Sequence, residues 1–198
     1  VTIITKTDEI LSGSTPYAQG GIIYKGHEDS PEKLKEDILK AGSGVCWDVA
    51  VNELVQLGPR LVKECLIDRM NVSFDKDERN QLDLTAEGAH SEPRIIHSKD
   101  NTGYSIHKSV IKELKSHKNI EILTGHTAVD LLTFSHNSKD LTDIYKKPTC
   151  FGAFILNNES GKVFPVYAAK TILATGGLVQ IFRHTTNPSE FTDDDIAL

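Results

Sequence analysis

The sequence predicts a mixed α/β fold built in layers, and three features carry that expectation. It opens on a β-branched run, Val1 to Thr5, of the sort that forms a fully buried strand. Segments with helical periodicity follow over residues 31–41, 46–58, 60–70 and 104–116. Late in the chain three strand-like runs come in succession, with turn-forming residues between the first two. A buried strand first and an antiparallel hairpin late fit an α/β or α+β arrangement, and composition alone goes no further.

The opening strand cannot be stable by itself and needs neighbours from later in the chain. A polar, glycine-bearing loop, Ser12 to Gly21 (SGSTPYAQGG), comes next. Residues 31–41 (PEKLKEDILKA) read as a helix: Ser30 is placed to cap it, Pro31 suits the first turn and Glu32 adds negative charge there. Gly42 and Gly44 end it. CWDVAVNELVQLG and RLVKECLIDRM read as two further helices, their apolar residues recurring at threes and fours. Residues 75–101 are polar, irregular and broken by Pro93, a stretch long enough to suspect function. A helix fits Tyr104 to Ser116, and strands fit 120–123 (IEIL) and 127–134 (TAVDLLTF). Residues 135–148 read as a surface excursion. FGAFIL, KVFPVYA and KTILA then read as three consecutive strands, with Asn157 to Gly161 turning the chain between the first two.

With 198 residues the chain can bury a proper core. Its 22 Lys+Arg against 28 Asp+Glu give a formal charge of -6, and no basic cluster stands out, which argues against a nucleic-acid partner. No apolar run approaches the ~20 residues of a bilayer span, and no signal-peptide pattern opens the chain, so no membrane partner is expected. Cys46, Cys65 and Cys150 are odd in number and form no CxxC, which favours a reducing compartment and a cytoplasmic location. Because it starts on Val1 and stops at Leu198 in mid-pattern, the chain is expected to be a piece of something longer.

Four segments carry chemistry. SGSTPYAQGG offers hydroxyls, the Gln19 amide and the Gly20-Gly21 pair directly after a strand; it suits phosphates or a flat heterocycle, or is simply a surface loop. YAAKTILATGG runs an apolar strand into Gly176-Gly177, either a nucleotide-binding strand end or a tight turn. LTAEGAHSEPRIIH gathers Glu87, His90, Arg94 and His97. These can exchange protons, hold an ammonium or pair with a carboxylate, unless the loop is merely solvated. Their spacing matches no metal motif, and no metal is expected. HTTNPSEFTDDDIAL ends in Asp193-Asp194-Asp195, able to bind a cation or ribose hydroxyls, or to start a helix.

Taken in order, STPYAQGGI, DSPEKLKEDILKAGSGVC, LTAEGAHSEPRIIH, TAVDLL, TILATGG and HTTNP resemble the flavoprotein family of L-aspartate oxidase, succinate dehydrogenase and fumarate reductase, over essentially the whole chain. The resemblance implies a Rossmann-like FAD-binding domain of glutathione-reductase type with an antiparallel β excursion. The domain would span 1–198 but lack its first βα unit, and the capping and C-terminal helical domains would be absent.

Two positions favour the L-aspartate oxidase branch. The dehydrogenases and fumarate reductases carry a histidine bonded covalently to FAD five residues before Gln-Gly-Gly; Ser14 stands there, which implies non-covalent FAD. Glu87 to Ser91 (EGAHS) resembles the segment whose glutamate orients the substrate's amino group. The implied reaction takes L-aspartate to iminoaspartate with O2 or fumarate as acceptor. It would be the first step of NAD biosynthesis by way of quinolinate, with a possible hand-over to quinolinate synthase.

By the same resemblance, Lys6 would lie near the adenosine part of FAD, and Thr127 and Ala128 would touch the adenine end through main chain. Ser14, Thr15, Pro16, Tyr17, Ala18, Gln19, Gly20 and Gly21 would wrap the isoalloxazine and pyrophosphate. Thr175 and Gly176 would line the cofactor, and Asp194 would be an acidic FAD contact. Glu87 would orient the substrate, with His90 and Arg94 beside it as catalytic candidates.

The chain also departs from the family. The first strand and its GxGxxG turn would precede Val1, and Asp193-Asp194-Asp195 replaces the usual Gly-Asp-Gly, adding carboxylates near a phosphate-bearing cofactor. Ala86 stands where aspartate oxidases often have arginine, and Ala89 replaces a glycine. The expectation is that these 198 residues alone neither hold FAD tightly nor oxidise aspartate. Two alternatives remain: a fumarate reductase or succinate dehydrogenase flavoprotein, and a non-catalytic remnant serving as a scaffold.

Overall fold

The computed structural model describes residues 1–177 and 183–186. In chain order it holds β1 (Thr2–Ile4), a 3-10 turn (Thr15–Tyr17), β2 (Ile22–Ile23), α1 (Pro31–Ala41) and α2 (Asp48–Leu61), which continues as a π-helix (Val62–Arg69). β3 (Leu84–Thr85), β4 (Ile95–Ile96) and α3 (Thr102–Ser116) follow. Last come β5 (Glu121–Leu123), β6 (His126–Thr133), α4 (Phe134–Asn137), a second 3-10 turn (Leu141–Tyr145), β7 (Cys150–Asn157) and β8 (Val163–Tyr167). The chain falls into two compact units, one made of Thr15–Ser116 and the other of Val1–Ser14 with His117–Leu198.

In the Thr15–Ser116 unit, α1 starts as the sequence dictates. Ser30 accepts a bond from the Lys33 N–H at 3.2 Å, Pro31 occupies the first turn, and the Gly42 N–H closes the end on the Ile38 carbonyl at 2.9 Å. Its inner face, led by Leu34, meets Val51 and Val55 of α2. A second cluster joins Val62, Val72 and Phe74 to Ile96. The two helices expected on either side of Pro59 are one continuous run. Pro59 has no N–H to give, and beyond it the ladder widens to the π register, with the Met70 N–H on the Cys65 carbonyl at 3.0 Å. The run is held straight through because Val51, Val55 and Val62 are all buried.

Residues 75–101, expected to be irregular, contain two strands. β4 lies between β2 and β3, pairing antiparallel with both: Ile22 and Leu84 oppose Ile96, and Ile23 and Thr85 oppose Ile95. Strands of two residues are too short to display alternation. They persist because Ile95 and Ile96 are 4% and 0% exposed, so their backbone groups must find partners in the chain.

In the other unit, β1 and β5 pair in parallel, Ile3 opposite Ile122, while β6, β7 and β8 form an antiparallel sheet in that order around Leu132, Ala153 and Ile155. Asn157 to Gly161 make the expected turn, and Pro165 is tolerated in β8 because that strand is an edge among the described residues. The third expected strand, KTILA, does not form. Residues 170–174 have no backbone ladder partner among the described residues, and Ile172 stays 87% exposed. The excursion after β6 is on the surface but winds through α4 and a 3-10 turn rather than being structureless. Among the described residues no helix is long and apolar enough to cross a membrane.

Candidate functional site

The loop Thr15 to Gly21 is held from two sides. Its 3-10 turn closes with the Ala18 N–H on the Thr15 carbonyl at 3.1 Å. The turn rests directly on the start of α3, where the Gly103 N–H donates to the Ala18 carbonyl at 2.9 Å and the Thr102 hydroxyl to the Gln19 carbonyl at 3.4 Å. A Cβ on Gly103 would stand 1.9 Å from the Thr15 oxygen, so only glycine permits this approach. At the far end Gly21, with φ +103°, lies on β4, where a Cβ would come within 2.4 Å of the Ile95 side chain.

A loop pinned so firmly presents its outer surface in a fixed form. Thr15, Tyr17, Ala18, Gln19 and Gly20 are exposed and Pro16 is half-buried. The N–H groups of Gln19 and Gly20 donate to nothing among the described residues.

The second element brought to this loop is Glu87. Its Oε1 lies where a Cβ on Gly20 would be only 2.6 Å away, so the carboxylate sits against Gly20. Glu87 is exposed, and its carbonyl accepts the His90 N–H at 2.9 Å to close a tight turn. The His90 Nδ1 is buried and unpaired.

Arg94 is placed otherwise than expected. It is 0% exposed, with its guanidinium committed inside the protein: Nε and Nη2 donate to the two oxygens of Asp29, both at 2.8 Å, and Nη1 donates to Asp37 Oδ2. It has no face left for a substrate carboxylate, and its candidacy as a catalytic group is withdrawn. His97 turns its Nδ1 to Asp75, 3.2 Å away, while its Nε2 is buried without a hydrogen-bond partner, 3.5 Å from Asp83.

The network around Arg94 is what sequence reasoning missed. Asp37 Oδ2 also accepts the Ser91 N–H at 2.8 Å and the Ser91 hydroxyl at 2.9 Å. The Ser91 N–H and the Arg94 guanidinium, working against burial, hold the Asp37 carboxyl down at about 2. For Asp29, burial pushes the carboxyl up, but bonds from Arg94, Gly26 and Ser30 outweigh it and keep the group below its ordinary value. One signal was visible. Asp37 falls three residues after Leu34, on the apolar stripe of α1, where a charge needs a buried partner.

In the other unit Lys6 and Thr127 are drawn together by Asn158, a residue read only as part of a turn. The Asn158 amide donates to the Lys6 carbonyl at 3.0 Å and accepts the Thr127 hydroxyl at 2.9 Å. Ala128, next along β6, is paired with Ile155 across the sheet. Ser14, Thr175 and Gly176 are exposed. Asp193, Asp194 and Asp195 lie outside the described residues, as does the LVQIF segment.

The family model described as FAD binding domain matches residues 1–198. The chloroplastic L-aspartate oxidase of Oryza sativa subsp. japonica is 37% identical over 199 residues, covering 100% of this chain and 29% of that protein. L-aspartate oxidase 1 of Ralstonia nicotianae is 35% identical over 201 residues, covering 100% of this chain and 36% of that protein. The chain thus spans about a third of the length of these curated relatives.

Among solved structures, the Mycobacterium smegmatis Sdh1 complex in the apo form superposes with a TM-score of 0.83 at 22% identity, over 100% of this chain and 34% of that one. A quinol-fumarate reductase with menaquinol molecules gives 0.84 at 19% identity, over 98% of this chain and 31% of that one. At such identities the likeness is one of fold, with mixed helix and sheet.

Proposed function

The chain belongs to the FAD binding domain family, and on that premise we propose that it is the cofactor-binding part of an L-aspartate oxidase. The observation that supports this most is the carboxylate of Glu87 set against Gly20 of the loop Thr15 to Gly21. Bound here, the flavin would supply the two-electron oxidation of the substrate's Cα–H.

The residues present fit that coenzyme. The unpaired N–H groups of the exposed residues Gln19 and Gly20, with the Thr15 hydroxyl and the Gln19 side-chain amide, suit the acceptor-rich edge of a flat heterocycle. Because Gly21 and Gly103 already pin the loop, those donors need no reorganisation to meet a ligand. Ser14 offers no imidazole for a covalent bond. Lys6, Thr127 and Ala128 would hold the adenosine end, and Thr175, Gly176 and Asp194 would complete the contacts. The parallel pair β1 and β5 is consistent with a Rossmann-like sheet of glutathione-reductase type.

The task of Glu87 follows from charge. A carboxylate at this loop would hold a substrate ammonium by a charge-assisted hydrogen bond and so orient the substrate. A dicarboxylate without an amino group would meet only repulsion there. That difference favours L-aspartate over succinate. His90, three residues on, is the nearer candidate for proton transfer now that Arg94 is enclosed. Iminoaspartate would be the product, with O2 or fumarate as final acceptor. The product would pass to quinolinate synthesis in the cytoplasm.

Anaerobic addition of L-aspartate to the full-length flavoprotein should bleach the oxidised flavin band. A band bleached by the reverse substrate succinate but indifferent to L-aspartate would replace this reading with that of a succinate or fumarate flavoprotein.

A further inference from the structure

Arg94 is tied to the loop bearing Glu87 through its main chain and through Asp37. The Arg94 N–H donates to the Thr85 carbonyl at 3.0 Å and its carbonyl accepts the Tyr24 N–H at 2.7 Å, so the stem of the loop is tied as sheet. Within that stem, Ser91 is bonded through both its N–H and its hydroxyl to Asp37 on α1, and the same carboxylate oxygen receives Arg94. Lys33, one turn earlier on α1, adds a bond of 2.5 Å to Glu92. Between these anchors the chain from Glu87 to His90 makes its turn.

A buried ion cluster of this kind is a poor way to gain stability, since apolar side chains of equal volume commonly do as well or better. What it does provide is direction. The guanidinium fork fits two carboxylates in one geometry only, and Asp37 passes that geometry on to Ser91.

We propose that the Arg94–Asp37–Ser91 chain is a positioning device for Glu87, fixing the loop 87–91 against α1 while neither Arg94 nor Asp37 meets the ligand. The assignment of Glu87 to the ligand rests on the function proposed above.

The test uses the full-length, FAD-loaded protein with Ser91→Ala, which removes one donor at an exposed position and leaves the ion pairs whole. Asp37→Asn is the stronger companion variant and Ser91→Thr the rescue. Amide exchange in the 87–91 segment should quicken about tenfold in Ser91→Ala, and the L-aspartate concentration that half-perturbs the flavin spectrum should rise by a similar factor. The rate at saturation and the melting temperature should hold, and Ser91→Thr should restore both readouts.

Unchanged exchange in Ser91→Ala would overturn the clasp. Faster exchange with unaltered aspartate affinity would overturn its positioning role. A wild-type flavin spectrum that ignores aspartate would defeat the functional reading instead, and the exchange comparison would then decide the clasp by itself.

Discussion

Gly20 faces Glu87 so closely that a methyl group on the glycine would stand 2.6 Å from the carboxylate oxygen. The obstructing atom is the tip of a flexible side chain, so Gly20→Ala can be accommodated by swinging Glu87 away. The variant should therefore fold with a stability change within about 0.5 kcal/mol. If Glu87 holds the substrate ammonium as proposed, the apparent affinity for L-aspartate should fall about tenfold on displacing that carboxylate. Thermal unfolding and an aspartate titration of the full-length protein check the two halves separately.

Gly103 gives the opposite result. There the obstruction is backbone: the Thr15 and Ala18 carbonyl oxygens would lie 1.9 and 3.0 Å from an added Cβ. Neither can yield without lifting the loop off α3. Gly103→Ala should cost about 2–3 kcal/mol by chemical denaturation and weaken FAD retention along with it. A variant as stable as the parent would mean that the loop is free to move, and the pre-set donors of Gln19 and Gly20 would lose their basis.

Ser14 leads to a simple chemical check. With a hydroxyl where covalent flavoproteins of this family carry an imidazole, acid precipitation of the loaded full-length protein should leave all the flavin in the supernatant. Flavin retained in the pellet would show a covalent link made elsewhere in the chain.

Much of this was readable in advance where the signal is local. Ser30, Pro31 and Glu32 announce the start of α1 within a single turn, and the turn from Asn157 to Gly161 is written in its own residues. Signals that depend on distant partners were not readable. KTILA has a strand's composition, but a strand exists only against a neighbour. β2 and β4 look like loop because two residues carry no period, and only burial makes them sheet. Arg94 reads as one more charge in a polar loop. Its carboxylate partners lie 65 and 57 residues earlier, and nothing near it announces that it is enclosed. The same separation hid the role of Asn158, whose partners are Lys6, beyond the end of β1, and Thr127, near the start of β6.

That enclosure has a signature in acid. The Asp37 carboxyl, held at about 2 by the Ser91 N–H and the Arg94 guanidinium, binds its proton less readily in the folded protein than in the unfolded chain. Its contribution to stability is therefore complete above the ordinary carboxylate value near 4, and is lost as pH falls from there through about 2. Asp29, also lowered, acts in the same direction. Denaturant titrations between neutral pH and the acid limit should show stability declining over that interval in the wild type, and declining less in Asp37→Asn, which has no such proton to take up. Arg94→Ala should lose about 3–5 kcal/mol at neutral pH, because it leaves two buried carboxylates without their cation. It should then recover part of that loss on acidification, since protonating Asp29 and Asp37 relieves their repulsion. Arg94→Lys keeps the charge without the fork and should fall between the two. A neutral-pH loss in Arg94→Ala that acid does not relieve would assign the residue to packing rather than to charge.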